Sequence, residues 1–180
     1  MALFTPLEKN HHAVDWVILR DGGISLYRRS DYLQQDIDWL VEHDYKVYSF
    51  DCSSWFSERV MHDQLASLLS FPSYYGKNFN ALDECLTDDL FVPDEGGSIL
   101  LLDRFDVFAK RSEAERRPTG RAEAEILLDI IARASRHFLL TGRRLIALIR
   151  SDDPLLHFDN LGSVHTSWNR REWFNKDRGV

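Results

Sequence analysis

Two short runs of apolar residues constrain this chain most. Ile99-Leu-Leu-Leu102 and Leu145-Ile-Ala-Leu-Ile149 contain no polar residue and no alternation. A strand with one wet face alternates; a strand covered on both faces, as in a parallel sheet, need not. Parallel strands need long crossovers. The stretch between these runs supplies one: a polar loop is expected over Lys110–Gly120, then a long helix from about Arg121 to Thr141. Leu127, Ile130, Ile131, Ala134 and Phe138 recur at helical spacing in that helix, and Gly142 follows as a C-terminal stop. Lys46–Phe50 reads as a further strand and Ser57–Ser70 as a helix with Val60, Leu65, Leu68 and Leu69 inward. Upstream, Val14–Leu19 and Ile24–Tyr27 flank Asp21-Gly22-Gly23, which predicts a β-hairpin. Ser30 then caps a helix to about His43, with Leu33, Ile37, Leu40 and Val41 on its core side. The expected fold class is α/β, with a small parallel sheet flanked by helices in three layers and an N-terminal hairpin and helix. Beyond Asp153 no regular pattern is legible.

Composition narrows the function. The 180 residues suit one domain with extensions, and 44% hydrophobic residues are enough for a continuous core. No apolar run approaches ~20 residues, so no membrane span is expected. Met1–Asn10 lacks the charged-then-apolar pattern of a secretory leader. The two cysteines, Cys52 and Cys85, form no CxxC pair, which fits a reduced, cytoplasmic compartment. A net charge of −7 repels phosphate backbones and argues against direct nucleic-acid binding. It favours a basic protein partner, and nucleases are basic because they must attract phosphate.

Motifs for catalysis are scarce. The seven histidines show no HExxH or other ligand spacing, so neither a metal nor another cofactor is expected, and His11-His12 reads as a mobile terminus. Ser53 and Ser54 lie outside any GxSxG elbow. Cys85 falls on an apolar helix side, as a structural thiol does. Trp168 and Trp173 alternate with Arg170, Arg171 and Lys176, a pattern that suggests nucleic-acid stacking. In an acidic protein, docking of the tail against the domain is the better reading.

The most informative segment follows Pro72. Phe71–Asn78 reads as a loop, with one of Tyr74 and Tyr75 inward and the other outward, and Asn78 as the cap of a short helix to about Leu90. On a helical wheel Phe79, Leu82, Leu86 and Leu90, with Cys85 beside them, face the core. Asn80, Asp83, Glu84, Thr87 and Asp88 lie opposite. Glu84 and Asp88 are like charges four apart, which costs a few tenths of a kcal/mol. Acids continue through Asp89, Asp94, Glu95, Asp103 and Asp106, against the single base Arg104. By composition alone this is a solvated helix face.

The stretch Phe71-Pro-Ser-Tyr-Tyr-Gly-Lys-Asn-Phe-Asn-Ala-Leu-Asp-Glu-Cys-Leu-Thr87 resembles the motif of the barstar family, and weaker similarity extends from about Lys46 to Ser151. The resemblance divides the chain into an N-terminal extension (1–45), a barstar-like domain (46–153) and a C-terminal tail (154–180). It implies that loop and helix plug the active site of a secreted ribonuclease. A carboxylate would stand where the substrate phosphate binds. Carried over by position, Glu84 is that acid, where the family more often has Asp, and Tyr74, Asn78, Asn80, Asp83, Thr87 and Asp88 complete the partner-binding set. Asp83 stands where the best-known member has Trp, Asn80 where it has Asp, and an acid of the long helix is replaced near His137. The leading expectation is therefore a non-catalytic cytoplasmic inhibitor or immunity protein that neutralises a ribonuclease toxin. Two others remain: a barstar-fold module for regulation or assembly, and an enzyme in which Asp83, Glu84 and Asp88 hold Mg²⁺.

Overall fold

The computed structural model describes residues 13–116, 118, 120–158, 161 and 166–180. His11 and His12 lie outside them. The central sheet joins β1 (Ile24–Tyr27), β2 (Tyr45–Asp51), β3 (Gly97–Asp103), β4 (Leu145–Arg150) and β5 (Ser167–Trp168) in the order β2-β3-β4-β1-β5. Every pairing is parallel. The two apolar runs lie side by side at the centre, Ile99 opposite Ile146 and Leu101 opposite Leu148. Their lack of alternation follows from having a hydrophobic layer on each face.

One face carries α3 (Glu58–Leu69), α4 (Phe79–Asp88), α5 (Phe105–Ala114) and α6 (Glu123–Leu140) over Leu26, Phe50, Leu100, Leu102, Ala147 and Ile149. The other carries α1 (Val14–Arg20) and α2 (Ser30–Glu42) over Tyr27, Tyr45, Ile99, Ile146 and Leu148. The long helix buries Leu127, Ile130, Ile131, Ala134 and Phe138 as its spacing requires. It ends in a Schellman arrangement, with Arg143 N–H donating to Phe138 O at 2.8 Å and Gly142 at φ 88°.

Four local expectations need correction. Val14–Leu19 is helix, and no hairpin forms: β1 pairs with β4 and β5 instead. A short apolar run is ambiguous between strand and helix, and here Ile18 and Leu19 need to point together onto the α2 face. The glycines after it serve a different end, because a Cβ on Gly23 would meet Ser135 Oγ at 2.1 Å. The first half of the expected polar loop is helical, since Phe105, Phe108, Ala109 and Ser112 repeat at i, i+3, i+4, i+7 and are buried. Ser30 lies inside α2, whose N-cap is Arg29 without a side-chain bond. Val41 and Leu68, read as core residues, are exposed.

The described part of the tail docks through Trp168, whereas Trp173, read together with it, is exposed. Trp168 packs against the core, and the Arg178 guanidinium sits 4.6 Å from its ring. Arg171 pairs with the buried Asp36 at 2.6 Å.

Candidate functional site

The loop before α4 is built around Tyr75. Tyr75 is only 7% exposed, and its ring lies 5.0 Å from that of Phe71. Its hydroxyl is 2.5 Å from Nδ1 of the buried His62 on α3. Burial raises the Tyr75 hydroxyl above its usual pKa, so the phenol keeps its proton. The phenol and Nδ1 share that hydrogen bond, and the other ring nitrogen faces Glu58 at 3.5 Å. The His62 ring also lies 5.2 Å from Phe79, the first residue of α4. One buried histidine thus ties α3, the loop and α4 together.

Tyr74 turns the other way and is 71% exposed. Its hydroxyl donates to both Asp89 carboxylate oxygens, at 2.8 and 2.9 Å, which pushes its pKa up to about 12. The hydroxyl is thus tethered to Asp89 at the C-terminal end of α4 while the side chain stays exposed. One ring in and one out is the arrangement expected.

Asn78 caps α4: Oδ1 accepts from Ala81 N–H at 3.0 Å, and Nδ2 donates to Gly76 O at 3.1 Å. Phe79, Leu82, Cys85 and Leu86 are buried along the inner side. Burial first, and Asp89 second, push the Cys85 thiol up to about 11, so it is an unreactive packing group. Thr87 Oγ1 donates back to Asp83 O at 2.8 Å. The Asp83 carboxylate leans onto α6, 3.1 Å from Arg133 Nη1.

The remaining three residues of the expected set form the outward ridge. Asn80, Glu84 and Asp88 repeat every four residues and are exposed. Among the described residues, Glu84 and Asp88 make no hydrogen bond or ion pair. Asn78, Asp83 and Thr87 use their polar groups within the fold; Glu84 and Asp88 present theirs to solvent. Tyr74 borders this ridge through Asp89. Sequence reasoning gave no role to three residues here, His62, Asp89 and Arg133, and did not say which of the two tyrosines turns inward. The i,i+4 spacings of Glu58/His62 on α3 and Asp129/Arg133 on α6 left a trace of these pairs in the sequence.

Asp83 turns toward Arg133, away from the ridge of Glu84 and Asp88. Among the described residues no three His, Cys, Asp or Glu side chains are grouped as metal ligands. No described helix is long and apolar enough to cross a membrane.

A family model described as "Barstar (barnase inhibitor)" matches residues 45–150, more than half of the chain and the whole of β2 through β4. The chain belongs to the barstar family. The family is one of inhibitors rather than enzymes, and the matched region contains the loop and helix just described. A Bacillus subtilis (strain 168) protein named "Putative ribonuclease inhibitor YrdF" is 50% identical over 34 residues, which is 19% of this chain. The aligned part is 37% of that relative, little more than a third of its length. Within the barstar-family frame, β1, α1 and α2 add to the matched region the hydrophobic layer on the second face of the sheet.

Proposed function

We propose that the Asn80–Glu84–Asp88 ridge, with Tyr74 beside it, enters the active site of a basic ribonuclease and blocks it. The observation that carries this reading is the unspent charge of Glu84 and Asp88 on a helix that is otherwise internally satisfied. Asn78 caps that helix, Leu82, Cys85 and Leu86 anchor it, and His62 fixes the loop leading into it. A carboxylate on so rigid a mount costs little ordering when it binds. Glu84 would take the place of the scissile phosphate and accept charge-assisted hydrogen bonds from the arginines and lysines that serve the substrate. Tyr74 supplies a flat aromatic surface of the kind that anchors interfaces. Asp88 and its acidic neighbours speed encounter more than they tighten the complex.

The chain in this reading binds protein and not nucleic acid, uses no cofactor, and works in the cytoplasm as an immunity protein against a ribonuclease toxin. Its free, buried cysteines suit a reduced compartment. The domain limits that go with this reading are 46–153 for the inhibitory unit, 1–45 for an N-terminal extension whose β1 joins the sheet and whose α1 and α2 cover its second face, and 154–180 for a tail.

The test is inhibition of purified ribonucleases, barnase first, by the wild-type chain and by Glu84→Ala. Removing Glu84 leaves desolvated cations without a counter-charge, a loss of ~2–5 kcal/mol in binding. At ~1.4 kcal/mol per decade, affinity falls between about thirtyfold and several thousandfold. Unchanged affinity in Glu84→Ala, with thermal unfolding also unchanged, would falsify the phosphate-mimic role.

A further inference from the structure

A cavity of about 210 Å³ lies between α1 and β5, on the side of the sheet that carries α1 and α2. Every residue that lines it comes before Tyr45 or after Arg150, so it is built wholly from the parts of the chain outside the matched region. Its walls are apolar. Val14 and Val17 of α1 are only half-buried, and Trp168 of β5 faces them across the space. Its floor is polar and fixed. The buried Asp36 carboxylate takes the Tyr27 hydroxyl at 2.8 Å, Asn169 Nδ2 at 2.9 Å and Arg171 Nη2 at 2.6 Å. These bonds tie α2, β1 and the chain after β5 together, so the cavity is formed before anything enters it. The charges around it do not cancel. Asp36 is matched by Arg171, and Asp21 takes Arg20 at 2.6 and 2.7 Å. Arg170 is exposed at the rim and makes no hydrogen bond or ion pair among the described residues. Two adjacent arginines thus have opposite situations: Arg171 is engaged by Asp36, Gln35 Oε1 and Tyr32 O, and Arg170 by nothing.

We infer that this cavity is a binding site for a small organic monocarboxylate, held by Arg170 at the rim and by Val14, Val17 and Trp168 around its apolar body. Apolar walls with a few placed polar groups are the make-up of a small-molecule pocket, and this volume suits a ligand smaller than a drug. One guanidinium fork matches one carboxylate. A phosphate dianion calls for a second cation, and Arg171 is already turned to Asp36. Because Asp36 fixes the floor, little ordering accompanies binding. The site lies on the sheet face opposite α4, so the inference stands apart from the reading of Glu84 as a phosphate mimic.

The experiment titrates the isotope-labelled full chain with phenylacetate, hexanoate, phenylacetamide and acetate, followed by amide NMR. A body of about ten non-hydrogen atoms supports a Kd on the order of 1 mM for phenylacetate. Its shifts should fall on the amides of α1, Ser25 and the segment from Ser167 to Arg171. Phenylacetamide keeps the body without the charge, and acetate the charge without the body; each should bind at least about tenfold more weakly. Arg170→Gln should weaken phenylacetate by about tenfold and leave phenylacetamide unchanged, a split that a merely structural role would not produce. Val17→Phe fills the cavity and should abolish binding of both, with thermal unfolding as its control. Should that variant fail to fold, the Arg170→Gln split decides by itself. No saturable shifts with phenylacetate or hexanoate at ~10 mM, where a site of that affinity is about nine-tenths occupied, would overturn the inference. So would shifts confined to another part of the molecule, or equal binding of phenylacetate and phenylacetamide by the wild-type chain.

Discussion

The outer face of α4 and the C-terminal tail use the same kinds of residue to opposite ends. In the tail the fold consumes the charges of Arg171, Glu172 and Arg178. Arg178 donates to the carbonyls of Pro154, Glu172 and Trp173 and to Asn175 Oδ1, and its own carbonyl accepts from Arg28 Nε. The buried Glu172 carboxylate takes the backbone N–H groups of Arg28 and Arg29. Asp36 receives Tyr27, Asn169 and Arg171. On α4, Glu84 and Asp88 take up none of the donors that the fold offers. Charge satisfied inside holds a fold together, whereas charge left outside a rigid helix is free for a partner. The two regions should therefore respond to substitution in opposite ways.

The largest expected effect is on binding alone. Glu84→Ala should cost about 2–5 kcal/mol against a cognate ribonuclease, measured by inhibition titration, while the midpoint of thermal unfolding stays within about 2 °C. Arg178→Ala should do the reverse. It strips several acceptors of their donor and should destabilise the fold by about 2–4 kcal/mol, lowering Tm by on the order of 10 °C, with affinity within about threefold of wild type. If Arg178→Ala weakens binding as much as Glu84→Ala does, the division between the regions collapses.

Tyr75→Phe probes the point where the two roles meet. It keeps the ring and removes the hydroxyl from His62, leaving a buried nitrogen unsatisfied at a cost of about 1–3 kcal/mol in urea unfolding. Binding should weaken by less than tenfold, because Tyr74 and α4 keep their own supports. Asp88→Ala is subtler. Its effect on final affinity should stay under about 1 kcal/mol. The association rate should nonetheless fall and become less salt-dependent as the Debye length shortens from ~30 Å at 0.01 M to ~8 Å at 0.15 M. Rates flat in salt for the wild type would mean that the acidic face is not where encounter begins.

The smallest effect concerns pH. Burial raises the Glu172 carboxyl above its ordinary 4.5, although the Arg29 and Arg28 amides oppose the shift. A carboxyl whose folded pKa lies above the unfolded one favours folding while protonated. That contribution is complete below 4.5 and is lost as the pH rises through the folded value. Glu172→Gln should flatten this part of the stability profile, measured by urea unfolding across mildly acidic pH. A profile that keeps the same slope would place the dependence in another group.

Much of the architecture was legible because it rests on local chemistry. The unalternating runs at Ile99 and Leu145 meant strands covered on both faces, and they pair as such. The wheel after Asn78 sorted Leu82, Cys85 and Leu86 from Asn80, Glu84 and Asp88 without error. Periodicity encodes which side of an element is dry, and a short motif with a cap and turn residues encodes its own backbone. Tertiary structure decided the rest. Val14–Leu19 became helix because Ile18 and Leu19 meet α2 across a layer that local propensity cannot see. Three of the seven residues read as partner contacts, Asn78, Asp83 and Thr87, direct their polar groups into the fold, since a side chain's partner depends on what the chain brings near it. Arg133 lies far from Asp83 in sequence and 3.1 Å from it in space. An ion pair of that kind is set by helix packing, and only the folded chain reveals that Asp83 is spent on α6 while Glu84 is not.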